Sequence, residues 1–274
     1  MASVNRKVLP GFSLSLGYTI FYLSVLVLLP IAAVFVKAGT LSLDDFWRAV
    51  WTERARAAYA LTFGASFIAA IVNLVLGSLI AWVLVRYTFP GKRLIDSLVD
   101  LPLALPTAVG GLVYASLYVE NGWLGRYLVP LGINGAYTRL GIILVLVFVG
   151  LPFVVRTVQP VLENFDPEAE EASASLGATR WQTVRGVILP ALYPALITGF
   201  ALAFARSIGE YGSVVFISGN MPFETEIAPI LIVARLEEFA YGEATAIAVV
   251  LLVISFSMLL LINMLESWSR RYAS

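Results

Sequence analysis

Apolar residues run through this chain in long blocks instead of the every-other-residue alternation of a half-buried strand. Stretches almost free of charge cover residues 8–36, 57–85, 101–119, 140–155, 186–205 and 244–265. A helix needs roughly 20 apolar residues to cross a bilayer, so the first two are long and the fourth is short. The fourth reaches full length by running past Arg156, whose long side chain can snorkel to the interface. Continuous runs exclude a transmembrane β-barrel. The pattern therefore predicts an all-α, polytopic membrane protein with six transmembrane helices in a single domain over residues 1–274. The first block is too long for the apolar core of a secretory signal, about 7–15 residues, and reads as a retained helix.

Polar pieces separate the blocks. Residues 40–56 are amphipathic, with Phe46, Trp47, Val50 and Trp51 on one helical face, predicting a helix lying flat in the outer interface. Residues 120–139 carry Gly122, Gly125, Pro130, Gly132 and Gly135, a turn-rich connection. Glu224, Glu226, Arg235, Glu237 and Glu238 mark a charged segment, read as a solvated loop or a docking surface for a soluble partner.

The longest polar insertion, residues 163–190, reads ENFDPEAEEASASLGATRWQTVRGVILP. Asp166 suits an N-cap and Pro167 the first helical position. Glu168, Glu170 and Glu171 sit near the positive end of that helix. Ala169, Ala172, Ser173 and Leu176 form a stripe of mostly small residues at helical spacing, open to close approach by another surface. Gly177 follows as a left-handed stop, and after Ala178 the pair Thr179 and Gln182 makes a capping box for a second helix that begins at Arg180. Local chemistry alone leaves two readings: a linker on the membrane surface, or a docking element.

Composition narrows the class. Of 274 residues 59% are hydrophobic and 13% charged, with mean hydropathy +0.87; a soluble domain carries about a quarter charged residues. Eighteen basic and 18 acidic residues leave no basic footprint for nucleic acid. Cysteine and histidine are both absent, which removes Cys–His nucleophiles and the usual zinc sites. No GxxxxGK[ST] phosphate loop is present. With the N-terminus inside, Arg6, Lys7, Arg86, Lys92, Arg93, Arg156, Arg180, Arg185, Arg270 and Arg271 fall on the cytoplasmic side against seven basic residues outside, a weak positive-inside bias.

Three features inside the membrane call for explanation. In LPLALPTAVGG, Pro102 and Pro106 precede Thr107, Gly110 and Gly111, which makes either a packing kink or a broken helix lining a pathway. Asn73 reads as interhelical hydrogen-bonding glue. In AFARSIGEYGSVVFISGN, Arg206 and Glu210 are four apart. They form either a self-neutralising structural pair or a charged site beside a pathway, with Ser207, Gly209, Tyr211 and Asn220 around it. Ala201, Ala205, Gly209 and Ser213 read as a small-residue stripe on that same helix.

Resemblance bears on the open choices. Glu171-Ala172-Ser173, three residues, Gly177, nine residues, Val187, one residue, Leu189-Pro190 resembles the EAA loop of permease subunits in binding-protein-dependent ABC importers, departing by Ser173 for alanine and Val187 for isoleucine. RYTFPGKRLIDSLVDLPLALPTAVGG, LPFVVRTVQPVLE, ARSIGEYGSVVFISGN, ARLEEFAYGEATAIAVV and the amino-terminal RKVLPGFSLSLG are similar to sulfate/thiosulfate permeases nearly end to end. Molybdate permeases share mainly the EAA and Arg-x-x-Gly-Glu portions. The resemblance implies a type I importer permease fold and a multi-pass protein of the bacterial inner membrane with both termini cytoplasmic. Implied partners are a second homologous permease subunit that is a different chain, giving a heterodimer, two cytoplasmic ATPase subunits holding ATP and Mg, and a periplasmic sulfate-binding protein. It implies no cofactor and no catalytic residue on this chain, and a cytoplasmic coupling loop over residues 163–190 in which Asp166, Glu168, Glu170, Glu171, Ala172, Ser173, Gly177, Ala178, Thr179 and Arg180 meet the ATPase. A permease for another tetrahedral oxyanion such as molybdate is the alternative. A secondary transporter fits less well, because no inverted repeat is found.

Overall fold

A computed structural model describes residues 12–273, all-helical among them. The elements used below are α1 Phe12–Ala38, α2 Leu43–Val50, α3 Glu53–Arg86, α4 Lys92–Val99, α5 Thr107–Tyr118, α6 Arg139–Glu163, α7 Pro167–Ser175, α8 Arg180–Ile208, α9 Ala228–Glu237 and α10 Tyr241–Ala273. Arg6 and Lys7, used above for orientation, lie outside the described residues, as do the side chains of Arg270 and Arg271.

Among the described residues, α1, α3, α6, α8 and α10 are long and apolar enough to cross a membrane. The remaining block is a broken crossing. A single turn at Leu101–Ala104 gives way to extended backbone at Leu105 (φ −83°, ψ 139°) and Pro106 (φ −56°, ψ 128°), after which α5 begins. Proline disfavours the helical conformation of the residue before it, and at Leu105 the helix stops. Of the two sequence readings, the break replaces the kink.

Helix starts follow their caps. Ser42, Thr52 and Thr138 accept the backbone N–H of Asp45, Ala55 and Gly141 at 3.1, 3.1 and 3.3 Å, satisfying donors that have no partner within the helix. Two widened turns, Ser24–Leu28 in α1 and Val184–Ile188 in α8, each stand just before a proline, Pro30 and Pro190. The proline ring crowds the carbonyl four residues back, and the wider turn relieves that clash without ending the helix.

The core is three-helical. α3, α6 and α8 enclose Ala81, Leu84, Val154, Val158, Leu192 and Phe204. α6 is the centre, with over half of its apolar window buried, whereas α1 buries none of its own. Glycines set the spacing: a Cβ on Gly77 of α3 would stand 2.9 Å from Val154 Cβ, and one on Gly199 of α8 3.2 Å from Val154 Cα. Any larger residue there forces the helices apart.

Three expectations are corrected. The apolar-and-aromatic face of residues 40–56 is split: Val50 is buried and Phe46 packs beside Ala246 and Val250 of α10, while Trp47 and Trp51 stay exposed. The charged segment after Asn220 is not a simple solvated loop. It contains α9, whose Ala228 and Leu231 pack with Tyr59 and Ile247, and Glu226 within it is buried. That run, APILIVARLE, was too short to register as a spanning block. The fifth crossing ends at Ile208 with Gly209 as its C-cap, so Ser213 does not share a helix with Ala201 and Ala205.

Candidate functional site

Two constellations sit at different levels of the bundle. The first is the insertion at the end where α3 stops and α8 starts. Asp166 caps α7, accepting the N–H of Glu168 at 2.9 Å. α7 ends at Gly177, whose φ of +84° and open surroundings suit glycine. Thr179 and Gln182 form the capping box, and the helix begun at Arg180 continues without a break as α8. The predicted hinge between two helices is therefore present, and the second helix is the membrane crossing itself.

No residue of α7 is buried. Few side chains hold it. Glu170 pairs with Arg86 at the end of α3, whose guanidinium also stacks on Trp82 with 5.0 Å to the ring centroid. Ser173 shares a hydrogen bond of 2.9 Å with Thr183 of α8. Glu168, Glu171, Ala172 and Arg180 are exposed and Ala178 is half-buried. A groove of about 400 Å³ runs between Trp82, Glu170, Glu171, Ala178 and Arg180.

Ten residues before the cap of α7 stands a cluster that no local pattern predicts. Arg156 of α6 uses all five of its N–H donors. Nε and Nη2 grip the Asp100 carboxylate at 2.8 and 2.6 Å. Nη1 reaches Asp96 Oδ1 at 2.6 Å and Gln159 Oε1 at 2.7 Å, and Nη2 also reaches the Asp96 carbonyl at 2.8 Å. The hydrogen bonds from Arg156 hold the Asp100 carboxyl below the usual carboxylate range. Snorkelling was the expectation for Arg156; a saturated bidentate clamp is what it makes. Asp96 and Asp100 are four apart and visibly share a helix face, but nothing local announces a partner 56 residues on.

The second constellation is where two crossings are interrupted together. Glu210, just past the end of α8 and 2% exposed, pairs with Arg206 at 2.5 Å. Its other oxygen accepts the N–H and Oγ–H of Ser213, both at 2.9 Å. The break in the third crossing meets this one: a Cβ on Gly111 would fall 2.1 Å from Ser213 O, and one on Gly212 2.2 Å from Thr107 Oγ1. Thr107 and exposed Pro106 thus lie next to the Arg206–Glu210 break. Ser207 and Asn220 are spent elsewhere. Ser207 donates to Ala203 O at 2.8 Å inside its own helix, and Asn220 is tied to Ser218 and to Val215 O. Tyr211 is 36% exposed beside Glu210. Asn73, expected to hydrogen-bond between helices, is buried against Gly150, and neither amide atom finds a partner among the described residues.

At the opposite end of the bundle, Arg54 grips Glu226 through two bonds of 2.8 and 2.6 Å, joining the start of α3 to the segment before α9. Arg139 donates to the carbonyls of Glu224 and Phe223. Both clamps join residues far apart in sequence, the first as a charge pair and the second through backbone carbonyls.

Residues 73–271 match the family model described as the inner membrane component of binding-protein-dependent transport systems. The chain is 52% identical over 256 residues to the sulfate transport system permease protein CysT of Synechocystis, covering 93% of this chain and 90% of that protein. It is 49% identical to CysT of Escherichia coli K12, covering 96% and 95%. Among solved structures, a bacterial ABC transporter that imports alginate superposes with TM-score 0.77 at 18% identity, covering 94% of each chain. The same transporter in complex with a pentasaccharide-bound periplasmic protein gives 0.77 at 19%, covering 96% and 94%.

Proposed function

The chain belongs to the inner membrane components of binding-protein-dependent transport systems, and from that premise we propose that it carries sulfate inward as one permease of a pair, driven through residues 163–190. The observation that carries this reading is identity of about one residue in two, along nearly the whole chain, to proteins named sulfate permeases.

In this reading the protein sits in the bacterial inner membrane with both termini and the 163–190 loop in the cytoplasm. Two ATPase subunits, which hold ATP and Mg, grip α7. A second, homologous permease completes the pathway, and a periplasmic binding protein delivers the anion. The architecture supports transmission. α7 presents Glu168, Glu171 and Ala172 to a partner while its own bundle leaves them uncovered. α8 is then a single rod of 29 residues from Arg180 to Ile208, about 40 Å long at 1.5 Å per residue. A displacement of the loop at Thr179 is delivered along that rod to Gly209 and to Arg206, which holds the buried Glu210. Alternating access follows if the rod swings with the ATPase cycle. Arg206 contributes positive potential, and the hydroxyl of Thr107, with Pro106 at the neighbouring break, lies where a dianion would pass. A dianion in such a pathway needs donors more than a matching charge.

Radiolabelled sulfate uptake in a strain lacking its own sulfate permeases, with thiosulfate, molybdate and selenate as competitors, tests the reading. Uptake competed best by unlabelled sulfate and thiosulfate supports it. Absence of uptake from a complex that co-purifies with its ATPase sinks it, and stronger competition by molybdate reassigns the cargo.

A further inference from the structure

Four parts of the chain converge near residue 156. α6 runs from Arg156 to Glu163 and on into the cap of α7 within ten residues. Asp96 lies on α4, and Asp100 stands between α4 and the turn Leu101–Ala104 that opens the broken third crossing. Arg156 joins these pieces with every donor it has. Gln159, which accepts one of those bonds, donates to Glu163 Oε1 at 3.0 Å at the last turn before the loop. Beyond the turn, Leu105 and Pro106 lead into α5, whose Gly111 abuts Ser213, and Ser213 in turn holds Glu210. Side-chain contacts and the connecting chain from Asp100 to Gly111 therefore link the stem of the coupling loop, through Arg156, to the paired breaks, separately from the α8 rod.

We propose that Arg156 is a positioning residue for transport: it fastens the first half of the broken third crossing to the stem of the coupling loop, so that the two halves of that crossing move apart at Leu105–Pro106 when the loop moves. The inference rests on the transport reading above. Chemistry favours arginine for the task. A planar guanidinium bonded at all five positions fixes both distance and orientation, whereas a lysine ammonium has three donors and no fork. The surrounding charges are Asp96 and Asp100 from α4 and its end and Glu163 from α6, so the cluster is net acidic and depends on Arg156 for its cohesion. Weak burial does not weaken the argument, because positioning depends on geometry and not on the stability the pair adds.

The test uses the whole complex, with both permeases, the ATPase pair and binding protein in proteoliposomes. Sulfate uptake and ATP hydrolysis are measured together for the wild type, Arg156→Gln, Arg156→Lys and Asp100→Asn. The expected result is assembly in normal yield and ATP turnover within about twofold of wild type, with sulfate uptake down at least tenfold for Arg156→Gln. Arg156→Lys fails to restore uptake, and Arg156→Gln combined with Asp100→Asn is no worse than Arg156→Gln alone. Because the chain has no cysteine, Leu103→Cys and Ser175→Cys accept spin labels selectively in a complex whose other chains lack reactive thiols. Their separation stays narrowly distributed in nucleotide-free and vanadate-trapped wild type and broadens in Arg156→Gln. Uptake within twofold of wild type in Arg156→Gln overturns the proposal, as does full rescue by lysine. A parallel fall in yield, turnover and uptake shows a purely structural role and overturns it too. Failure of the wild-type complex to import sulfate would instead strike the transport reading, which keeps the two outcomes apart.

Discussion

The turns at Gly177 and at Gly209 both interrupt helical runs, and they are built in opposite ways. Gly177 has φ +84° with nothing near its missing side chain, and the helices flanking it are set by their own caps at Asp166 and Thr179. Gly209 has an ordinary φ of −85°. Its break is held from outside: Glu210 by Arg206 and Ser213, Ser213 by contact with Gly111, and Gly212 by contact with Thr107. A turn at the loop end can leave its backbone to water and its surface to a partner. A break at membrane depth must meet its freed polar groups with protein neighbours or with the water of a cavity. One is a local device, the other a tertiary one.

That contrast orders the consequences of mutation. The largest is expected at the interior break. Reversing Arg206 to Glu leaves Glu210 buried against a like charge, and breaking a buried pair on one side costs about 3–5 kcal/mol. The complex should scarcely accumulate, as read by membrane yield and thermal unfolding of the purified assembly. Exchanging both charges restores yield only in part, because the Ser213 N–H, which donates to the carboxylate, has nothing to offer a guanidinium in its place. Normal yield from Arg206→Glu alone would show that the pair does not hold the break. Next comes Gly111→Val, where a side chain would meet Ser213 O; overpacking of this kind costs about 1–3 kcal/mol, and it should lower the unfolding temperature and uptake together.

The same contrast explains what could be read in advance. Residues 163–190 were legible almost to the residue, because Asp166-Pro167, Gly177 and the Thr179–Gln182 box act within four positions of themselves. Crossing number and helical class were legible from apolar length. The end of α8 was not: Ala201, Ala205, Gly209 and Ser213 keep perfect helical spacing, yet Glu210 turns back to bind Ser213 and stops the helix. Prolines announced trouble near residue 106 but could not choose between bending and breaking. The clamps of Arg156, Arg54 and Arg139 were invisible for another reason. Each joins residues 56 to 172 positions apart, and pairing at that range is a property of packing, not of pattern.

At the loop the expected effects on stability are small and those on coupling large. Gly177→Val meets no neighbour, but forcing a β-branched residue into the left-handed region costs about 1–2 kcal/mol, so the complex should assemble. Glu171→Lys reverses an exposed charge that no bond among the described residues needs. Both should leave ATP hydrolysis within a few-fold of wild type and cut sulfate uptake about tenfold or more; coupled uptake at wild-type rate in both would remove α7 from the transmission. Arg86→Gln, which frees Glu170, should change stability by no more than about 1 kcal/mol, the range of exposed pairs.

The smallest effect sharpens the comparison at the clamp beside the loop. Asp100 has its carboxyl lowered below the ordinary value by Arg156, so its contribution to stability is fully present above the unfolded-state pKa, about 4. It is lost only as pH falls through the lower folded value. Asp100 is nearly half exposed and Arg156 a third, and screening limits the contribution to at most about 1 kcal/mol. The difference in unfolding temperature between wild type and Asp100→Asn should therefore stay constant from pH 7 to pH 5 and shrink only below about pH 4. A difference that already closes between pH 7 and pH 5 would mean that the carboxyl is not held low, and that the clamp is looser in the assembled protein than its five hydrogen bonds imply.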